Sequence, residues 1–308
     1  MTLGAVTIDL DGAGHYHAIH GLPPPERDIL LARALPRFLD LCRAAGVRAT
    51  LFCIGKDMED PAVATLVAQA HEEGHEIASH SFAHDYRMTQ FTRAAMRADL
   101  ADARDAIARV TGVPPQGFRA PGYNLNPALL DAVVEAGHRY DSSVFPSPPY
   151  YVARSVAITG YALQGRPSRS LRGDPRQFTA PRRPYRPRKG DIFRRGGTPL
   201  PIWELPMAVA LPLGLPMIGT FLGGVYPPHV RRGLTWLRTH TGGPFNLELH
   251  AMDLAGDEDG LSPRLPQFQP DLQVPLAERL EALRDVVHGM RGRLEVLPLR
   301  DWLPRLES

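Results

Sequence analysis

Short apolar runs alternate with longer amphipathic segments along this chain, and this alternation restricts the fold more than any other feature of the sequence. Residues 5–8 form the first apolar run, and residues 28–45 carry apolar side chains near a period of 3.6 residues, which predicts a helix. Pro36 predicts a kink or a break within that helix, and Gly46 predicts its C-cap. Repeated strand–helix units favour parallel strands joined by right-handed crossovers, either as an α/β barrel or as an open doubly wound sheet. No glycine-rich phosphate loop follows the first run, which disfavours nucleotide binding there.

The same patterns divide most of the remaining sequence into strands and helices. They predict further strands at residues 47–54, 75–78, 116–118, near 140, and at 201–207, 246–250 and 294–297. They predict further helices at residues 61–73, from 89 or 92 to 110, and at 127–136, 228–240 and 275–290. Residues 147–200 are rich in Pro, Arg and Ser and show weak periodicity, so we expect a long irregular insertion within a single domain of residues 1–308.

The composition excludes several classes of protein. A net charge of +2 gives no reason to expect a nucleic-acid partner. Cys42 and Cys53 do not form a Cys-x-x-Cys pair, which excludes a disulfide scaffold and a zinc site of four thiolates. Residues 205–226 are apolar but interrupted by proline and glycine, so no membrane-spanning helix is predicted. The N-terminus lacks a signal-peptide pattern, and the cytoplasm is therefore the expected location.

Two carboxylates follow the first predicted strand. Asp9 and Asp11 are two residues apart, so on an extended segment they point the same way and repel unless a cation or a proton relieves them. A metal bound by one, with the other left as a base, would resolve the repulsion; a solvated turn is the alternative. His15, His17 and His20 come next, and we expect them at the barrel mouth but not as metal ligands.

Two histidines follow the strand predicted at 75–78. His80 and His84 are spaced as neighbours on one face of a helical turn. Imidazoles combined with a carboxylate suit zinc, iron or cobalt, and a surface pair without metal is the alternative. No glutamate stands between them as in His-Glu-x-x-His, which disfavours that class of metalloprotease.

Two further strands end in polar residues. Arg119 can hold a carboxylate bidentately beside the tight turn of Pro121 and Gly122, although a surface arginine in an ordinary loop is the alternative. His250 could protonate a leaving amine, although a lone histidine after a strand is more often structural. Because the carboxyl ends of barrel strands meet at one edge, the four motifs together describe metal-assisted hydrolysis of a small amide.

These motifs resemble those of the polysaccharide deacetylase family, the NodB-homology or carbohydrate esterase family 4 group. Residues 7–12 are similar to its first motif, usually Thr-Phe-Asp-Asp-Gly, and residues 80–84 match its second, His-Ser/Thr-x-x-His. Residues 119–122 match its third, Arg-x-Pro, and residues 247–250 match its fifth, Leu-x-x-His. The resemblance spans roughly residues 3–300 and implies a distorted (β/α)7 barrel of the NodB type.

The resemblance also implies a role for each residue. Asp9 would be the general base, Arg119 its tether and His250 the general acid. A divalent metal, usually zinc, with cobalt or another first-row ion as the alternative, would be held by Asp11, His80 and His84. The implied reaction removes an N-acyl group, acetyl or formyl, from an amino sugar in a glycan or a lipid-linked saccharide. An allantoinase-like hydrolysis of a small cyclic amide and a non-catalytic binding barrel are the alternatives.

The sequence departs from the family pattern in two places. Its first motif reads Asp-x-Asp rather than Asp-Asp. The family's fourth motif, an Asp and a Trp that support the catalytic histidine, has no clear match, and Trp203-Glu204 is the best candidate by position. The residues that we expect to contact substrate are Pro121, Gly122, Tyr123, Trp203 and Glu204.

The segments outside the motifs could contact an anionic or lipid partner, although an ordinary solvated loop and core segment is the favoured interpretation. The arginines of residues 147–200 could hold a phosphate or an anionic head group, and the apolar residues 207–222 could enter a membrane surface or hold a lipid tail. A solvated loop and a strand with a core loop are the alternatives. The arginines are Arg154, Arg166, Arg169, Arg172, Arg176, Arg182, Arg183, Arg186 and Arg188.

Overall fold

A curled sheet of parallel strands organises the molecule. The computed structural model describes residues 2–165, 168–241 and 243–307, and Arg166 of the arginine set lies outside them. The strands of the sheet are Leu3–Asp9 (β1), Thr50–Cys53 (β2), Glu76–Ser79 (β3), Gly117–Phe118 (β4), Tyr140–Asp141 (β5) and Trp203–Glu204 (β6). A hairpin of Val209–Ala210 (β7) and Leu215–Pro216 (β8) follows, and Phe245–His250 (β9) and Glu295–Val296 (β10) complete the sheet.

The strand order is β10-β1-β2-β3-β4-β5-β6, with β9 also paired to β1. Every pairing in this sheet is parallel. Single hydrogen bonds connect the residues that follow β6 to strand β9. Ala208 N donates to Asn246 O at 2.9 Å, and Asn246 Nδ2 donates to Leu205 O at 3.0 Å. The predicted distorted (β/α)7 barrel is therefore confirmed, with this irregular seam as its distortion.

Helices connect most of the strands and cover the outside of the sheet. They are Ala13–Ile19 (α1), Leu30–Ala45 (α2), Pro61–Glu72 (α3), Arg93–Thr111 (α4), Pro127–Glu135 (α5), Pro148–Leu163 (α6), Pro228–His240 (α7), Leu276–Arg291 (α8) and Leu303–Glu307 (α9). Their ends follow the capping signals in the sequence. Asp60 accepts a hydrogen bond from Ala62 N at the start of α3, and Gly46 ends α2 at a φ of 64°. Helix α2 runs through Pro36 without a break.

Residues 147–200 are less irregular than predicted, because α6 occupies their first third. This helix has apolar side chains on two faces, so the sequence lacks the one-sided periodicity that marks an amphipathic helix. The described remainder of the segment contains one short 3-10 helix, Pro175–Thr179, and isolated bridges. The strand predicted at 201–207 shortens to β6, and α1 lies where the sequence pattern predicts no helix.

The apolar residues 205–226 form the β7–β8 hairpin and a turn of π-helix at Phe221–Val225. Leu211 and Leu213, at the hairpin tip, are 50% and 67% exposed, while Leu205 and Met207 are buried in the core. Within the described residues no helix combines the length and the apolarity needed to cross a membrane.

The amino end of the barrel is closed by the last residues of the chain described. Trp302 is fully buried there, and its indole Nε1 donates to Gly4 O at 3.2 Å. Leu299 N donates to Thr50 Oγ1, which in turn donates to Glu76 Oε2, both at 2.8 Å. These residues close only the amino end of the barrel. The carboxyl ends of the strands, which carry the polar motifs, lie at the opposite end.

Candidate active site

The carboxyl ends of four strands bring the predicted site residues together. Asp9 ends β1 and His250 ends β9, and the parallel register pairs these two residues directly. His80 follows β3, and Arg119 follows β4. The structure therefore gathers at one edge side chains that are up to 241 positions apart in the sequence.

Asp11, His80 and His84 form a buried triad of potential metal ligands. Oδ1 of Asp11 lies 3.4 Å from Nε2 of His80 and 3.3 Å from Nε2 of His84, and the two imidazole nitrogens are 3.2 Å apart. Donor atoms about 2.0–2.1 Å from one tetrahedral ion would be separated by about 3.3–3.4 Å. The spacing therefore fits a single zinc-sized ion.

Two backbone features aim these imidazoles. Ser81 and His84 adopt φ values of 65° and 51°, and this left-handed turn folds His84 back towards His80. Nδ1 of His80 lies 2.7 Å from Arg119 O, so His80 donates there from Nδ1 and presents a free Nε2. Oδ1 of Asp11 is buried without a hydrogen-bond partner among the described residues, which is the state expected of a ligand atom.

The charges in the triad oppose one another. Burial raises the pKa of Asp11, but His84 and His80 outweigh burial and bring that pKa well below the ordinary carboxyl value. Burial is also the largest influence on the two imidazoles. Burial holds the pKa of His84 well below its usual value. For His80, the negative charges of Asp9 and Asp11 outweigh burial and raise the pKa. An ionised carboxylate beside a neutral His84 is a suitable donor set for a divalent cation.

Asp9 is held by a fully buried arginine. Nη1 of Arg119 donates to Oδ1 of Asp9 at 2.5 Å, and its Nε donates to Ser142 O at 2.8 Å. Nη2 is fixed by the hydroxyls of Ser142 and Thr7, at 3.0 Å and 3.2 Å. Burial raises the pKa of Asp9 above its ordinary value even though Arg119 lowers it. The other oxygen, Oδ2, has no hydrogen-bond partner in the described chain and is available to accept a proton.

His250 is supported by a residue that the sequence analysis missed. Nδ1 of His250 lies 3.0 Å from Oε1 of the fully buried Glu248, although the contact lacks hydrogen-bond alignment. Burial lowers the pKa of His250, but Glu248 outweighs burial and raises that pKa well above the usual histidine value. The signal was present in the sequence, because residues 248 and 250 of one strand point to the same side.

The carboxylate of Glu248 also lies close to Asp9. Single ligand atoms of Asp9, Glu248 and His250 all fall within 4.8 Å of one another, which by distance alone could describe a second cation site. The guanidinium of Arg119 already contacts Asp9, and its positive charge opposes a cation there. An acid–base pair is the better description of this group.

Trp203 and Glu204 do not join the site. Trp203 packs against the apolar cluster around Trp302 at the amino end of the barrel. The Arg186 guanidinium stacks on the Trp203 ring at 4.7 Å, and the indole Nε1 of Trp203 donates to Glu307 at 3.5 Å. Glu204 is fully buried and accepts from Val144 N at 3.1 Å; burial, followed by neighbouring Asp141, raises its pKa well above normal. Neither residue lines the cavity, so neither supports His250.

A cavity of about 280 Å³ lies over the polar cluster. Its floor includes Asp9, Asp11, His80 and His250. Of the other predicted contact residues, Gly122 and Tyr123 line it, and Pro121 is buried behind them. The hydroxyl of Tyr123 lies 3.1 Å from Nε2 of His250. Gly122 has a φ of 57°, and a Cβ there would meet the Tyr86 ring at 2.5 Å, so only glycine fits.

Helix α6 roofs this cavity. Along one face it contributes Tyr150, Ala153, Arg154, Ala157, Ile158 and Tyr161. His20 lines the far wall, where its ring stacks on Phe268 with centroids 5.1 Å apart. His15 instead contacts the triad, with its Nδ1 3.1 Å from Nδ1 of His84. His17 lies away from the cavity, with its Nδ1 2.5 Å from Pro23 O.

Comparison with known proteins identifies relatives of this chain. Residues 28–140 match the family model described as polysaccharide deacetylase. That range includes His80, His84 and Arg119 but neither Asp9 nor His250. Chitin deacetylase 2 from Cryptococcus neoformans var. grubii is 38% identical over 82 residues, which cover 27% of this chain and 17% of that protein. The chain thus matches only a small part of this curated relative. The match to the family model confirms the resemblance inferred from the motifs.

Solved structures extend the likeness of fold to the whole chain. A Mycobacterium smegmatis protein assigned as a polysaccharide deacetylase superposes with a TM-score of 0.61 at 17% identity, covering 99% of this chain and 90% of that one. A family 4 carbohydrate esterase pseudoenzyme from Bacillus anthracis superposes with a TM-score of 0.50 at 12% identity, covering 98% and 65%. Because the same fold also serves a pseudoenzyme, activity has to be argued from the site residues.

Proposed function

We propose that the chain, whose residues 28–140 match the polysaccharide deacetylase family model, is a metal-dependent hydrolase that removes an N-acyl group from an amino sugar. The observation that carries the proposal is the presence of two buried groups on one cavity floor. Asp11, His80 and His84 form a triad with ligand spacing, and beside it lies an acid–base pair, Asp9 and His250. A barrel used only for binding would have no need for either group.

Asp11, His80 and His84 are the residues that would hold the divalent ion. The unpartnered Oδ1 of Asp11 and the 3.2–3.4 Å separations of the three donor atoms support this assignment. When bound, such an ion supplies Lewis-acid activation of a water and of the substrate carbonyl. One carboxylate with two imidazoles favours zinc, with cobalt as the nearest alternative.

Asp9 and His250 divide the proton transfers between them. Oδ2 of Asp9 accepts the proton of the attacking water, while Arg119 holds the carboxylate in place through Oδ1. His250 is kept protonated by Glu248, and its Nε2 faces the cavity beside the Tyr123 hydroxyl, where it donates to the leaving amine. The base and the acid can coexist in one site because each has its own counter-charge. Arg119 is the counter-charge of the Asp9 carboxylate, and Glu248 is that of the His250 imidazolium.

The roofed cavity favours a small or terminal sugar over the middle of a polymer. About 280 Å³ lies at the small end of the range for ligand pockets and accommodates about one sugar ring. Aromatic rings at its walls, among them Tyr16, Tyr86 and Tyr150, offer faces on which a sugar can stack. Residues of helix α6 line the cavity and leave less room for a longer glycan.

Arg154 supports a substrate that carries an anion. Its Nη1 donates to Gly122 O at 2.8 Å and its Nε donates to Ser170 Oγ at 3.0 Å, while the buried Nη2 has no hydrogen-bond partner in the described chain. A phosphate or carboxylate on the sugar would complete this guanidinium. We expect Arg154→Ala to raise KM for an N-acetylated sugar phosphate without raising it for the neutral sugar. Arg172→Ala, on an exposed arginine bonded to Thr159, is the matched control.

The outer face of α6 favours a lipid-linked form of that substrate. Val152, Val156 and Leu163 are 59%, 67% and 84% exposed along this face, and no acidic residue occurs between Asp141 and Asp174. An apolar stripe flanked by arginines is suited to an anionic membrane surface. We expect the protein to float with vesicles containing phosphatidylglycerol at low salt, and Val156→Asp to abolish flotation. Equal flotation with neutral vesicles would contradict the role of charge.

The central experiment measures acyl release by the zinc-loaded protein. N-acetyl and N-formyl amino sugars, neutral and phosphorylated, are compared with a small cyclic amide as the allantoinase-like alternative. Asp9→Asn should retain about one ion per chain and lose turnover, whereas the exposed control Asp131→Asn should retain both. Full activity of Asp9→Asn would show that the base is misassigned, and bound metal without turnover of any amide would favour the non-catalytic barrel.

A further inference from the structure

A second cleft lies between helices α7 and α8, and none of its described lining residues lines the candidate active site. Its volume is about 270 Å³. Helix α7 contributes two rows of side chains spaced four residues apart, and α8 supplies the opposite wall. The rows are Arg231, Thr235 and Thr239, and Arg232, Trp236 and His240. The cleft is therefore built from regular helical surfaces and is not a gap between loops.

The buried side of α7 is polar where an apolar stripe is usual. Arg231 is 9% exposed and Thr235 is 8% exposed. Nε of Arg231 and Oγ1 of Thr235 are buried without hydrogen-bond partners in the described chain. Within the described residues, the one carboxylate that forms an ion pair with Arg231 is that of Asp285, 3.9 Å from Nη2 and half exposed. The positive charge of this buried guanidinium is balanced only by one distant, half-exposed carboxylate. The group is therefore suited to bind an anion that enters from solvent.

The mouth of the cleft combines further positive charge with an aromatic face. Arg232 and Arg293 stand at its rim, so three arginines face the single carboxylate of Asp285. Trp236 is 61% exposed, and its ring stacks on His240 with centroids 4.5 Å apart. Gly289 keeps the floor open, because a Cβ there would have one neighbour within 4 Å, Thr235 Cγ2 at 3.5 Å. A larger side chain at position 289 would fill this space.

We propose that the cleft binds a small anion joined to a planar ring, of the mononucleotide class. The phosphate would pair with Arg231 and accept from the Thr235 hydroxyl, while the ring would lie against the exposed indole of Trp236. The site is separate from the proposed hydrolytic centre, so its ligand is an effector or a second binding partner and does not replace the N-acyl substrate.

Isothermal titration of the full chain with AMP, adenosine and inorganic phosphate tests this assignment. AMP should bind at least tenfold more tightly than either fragment, because only AMP uses both the arginines and Trp236. Arg231→Met, Trp236→Ala and Gly289→Leu should each weaken AMP binding at least tenfold. Arg284→Ala removes an exposed arginine of α8 outside the cleft and should leave binding unchanged.

Two results would overturn the proposal: no heat of binding with AMP at millimolar concentration, or AMP binding that survives both Trp236→Ala and Gly289→Leu. These two variants change exposed positions, so they remain informative if Arg231→Met fails to fold. The measurement involves no turnover, and Asp9→Asn should bind AMP like the unchanged protein. Failure of the cleft and failure of the proposed hydrolysis are thereby distinguished.

Discussion

Replacing Glu248 by glutamine removes the charge that keeps His250 protonated. The carboxylate oxygen and the imidazole Nδ1 are 3.0 Å apart, and Glu248 is fully buried. At an effective dielectric constant near 20, two unit charges at this distance attract by about 5 kcal/mol. Desolvation of both groups consumes part of this attraction, and we take about half, 2–3 kcal/mol, as the net effect on the imidazolium. The amide is isosteric, so packing should change little.

The expected consequence appears in the pH dependence of acyl release. A raised pKa means that His250 carries its proton below that pKa and loses it as the pH rises through it. Glu248→Gln lowers the pKa of His250, so the alkaline limb of kcat/KM should move to lower pH. On the alkaline limb, at pH values above the pKa of His250 in the unchanged protein, kcat/KM should fall about 30- to 150-fold.

Glu204→Gln is the matched control for this substitution. Glu204 is equally buried, but burial and the neighbouring Asp141 raise its pKa well above normal, and it does not line the cavity. The control should leave both limbs of the profile in place. If Glu248→Gln retained the alkaline limb and full activity, the acid would not be His250 supported by Glu248.

Three further substitutions test other parts of the site. His84→Ala should reduce the divalent metal content from about one ion per chain to near zero in elemental analysis, and added zinc should no longer raise Tm. Arg119→Met leaves the Asp9 carboxylate buried without its counter-charge, so denaturant unfolding at neutral pH should show a loss of about 3–5 kcal/mol that shrinks in acid as Asp9 is protonated. Gly122→Ala forces a Cβ within 2.5 Å of an aromatic ring at a φ of 57°, and Tm should fall, whereas Gly160→Ala, with open space around it, should not lower Tm.

The parts of the fold that local patterns determine could be predicted from the sequence. The C-cap predicted at Gly46 corresponds to a real helix end, because a cap depends only on neighbouring backbone groups. The proximity of Asp9, His80 and His250 follows from a topological rule: parallel strands present their carboxyl ends together. These features need no knowledge of which side chains pack against which.

What could not be predicted depends on distant packing. Helix α6 is apolar on its cavity face and again on its exposed face, so its sequence has no single stripe. Trp203 and Glu204 occupy the right place in the chain order for a supporting pair, but Trp203 packs against Arg186 and Glu204 accepts from Val144 N. The support for His250 comes from Glu248 on the same strand and not from the position of the family's fourth motif, and the two-residue period of β9 already indicates this pair.

The bond from Trp302 to Gly4 has a consequence for synthesis of the protein. Its partners are separated by 298 positions, so the strand that carries Asp9 cannot gain its last contacts until residue 302 has left the ribosome. Until then, Gly4 O lacks its indole partner, and the apolar side chains of Ala5 and Phe52 lack the Trp302 ring that shares their cluster. Truncations and substitutions that remove Trp302 should therefore increase the dependence of folding on chaperones, although this residue does not line the candidate active site.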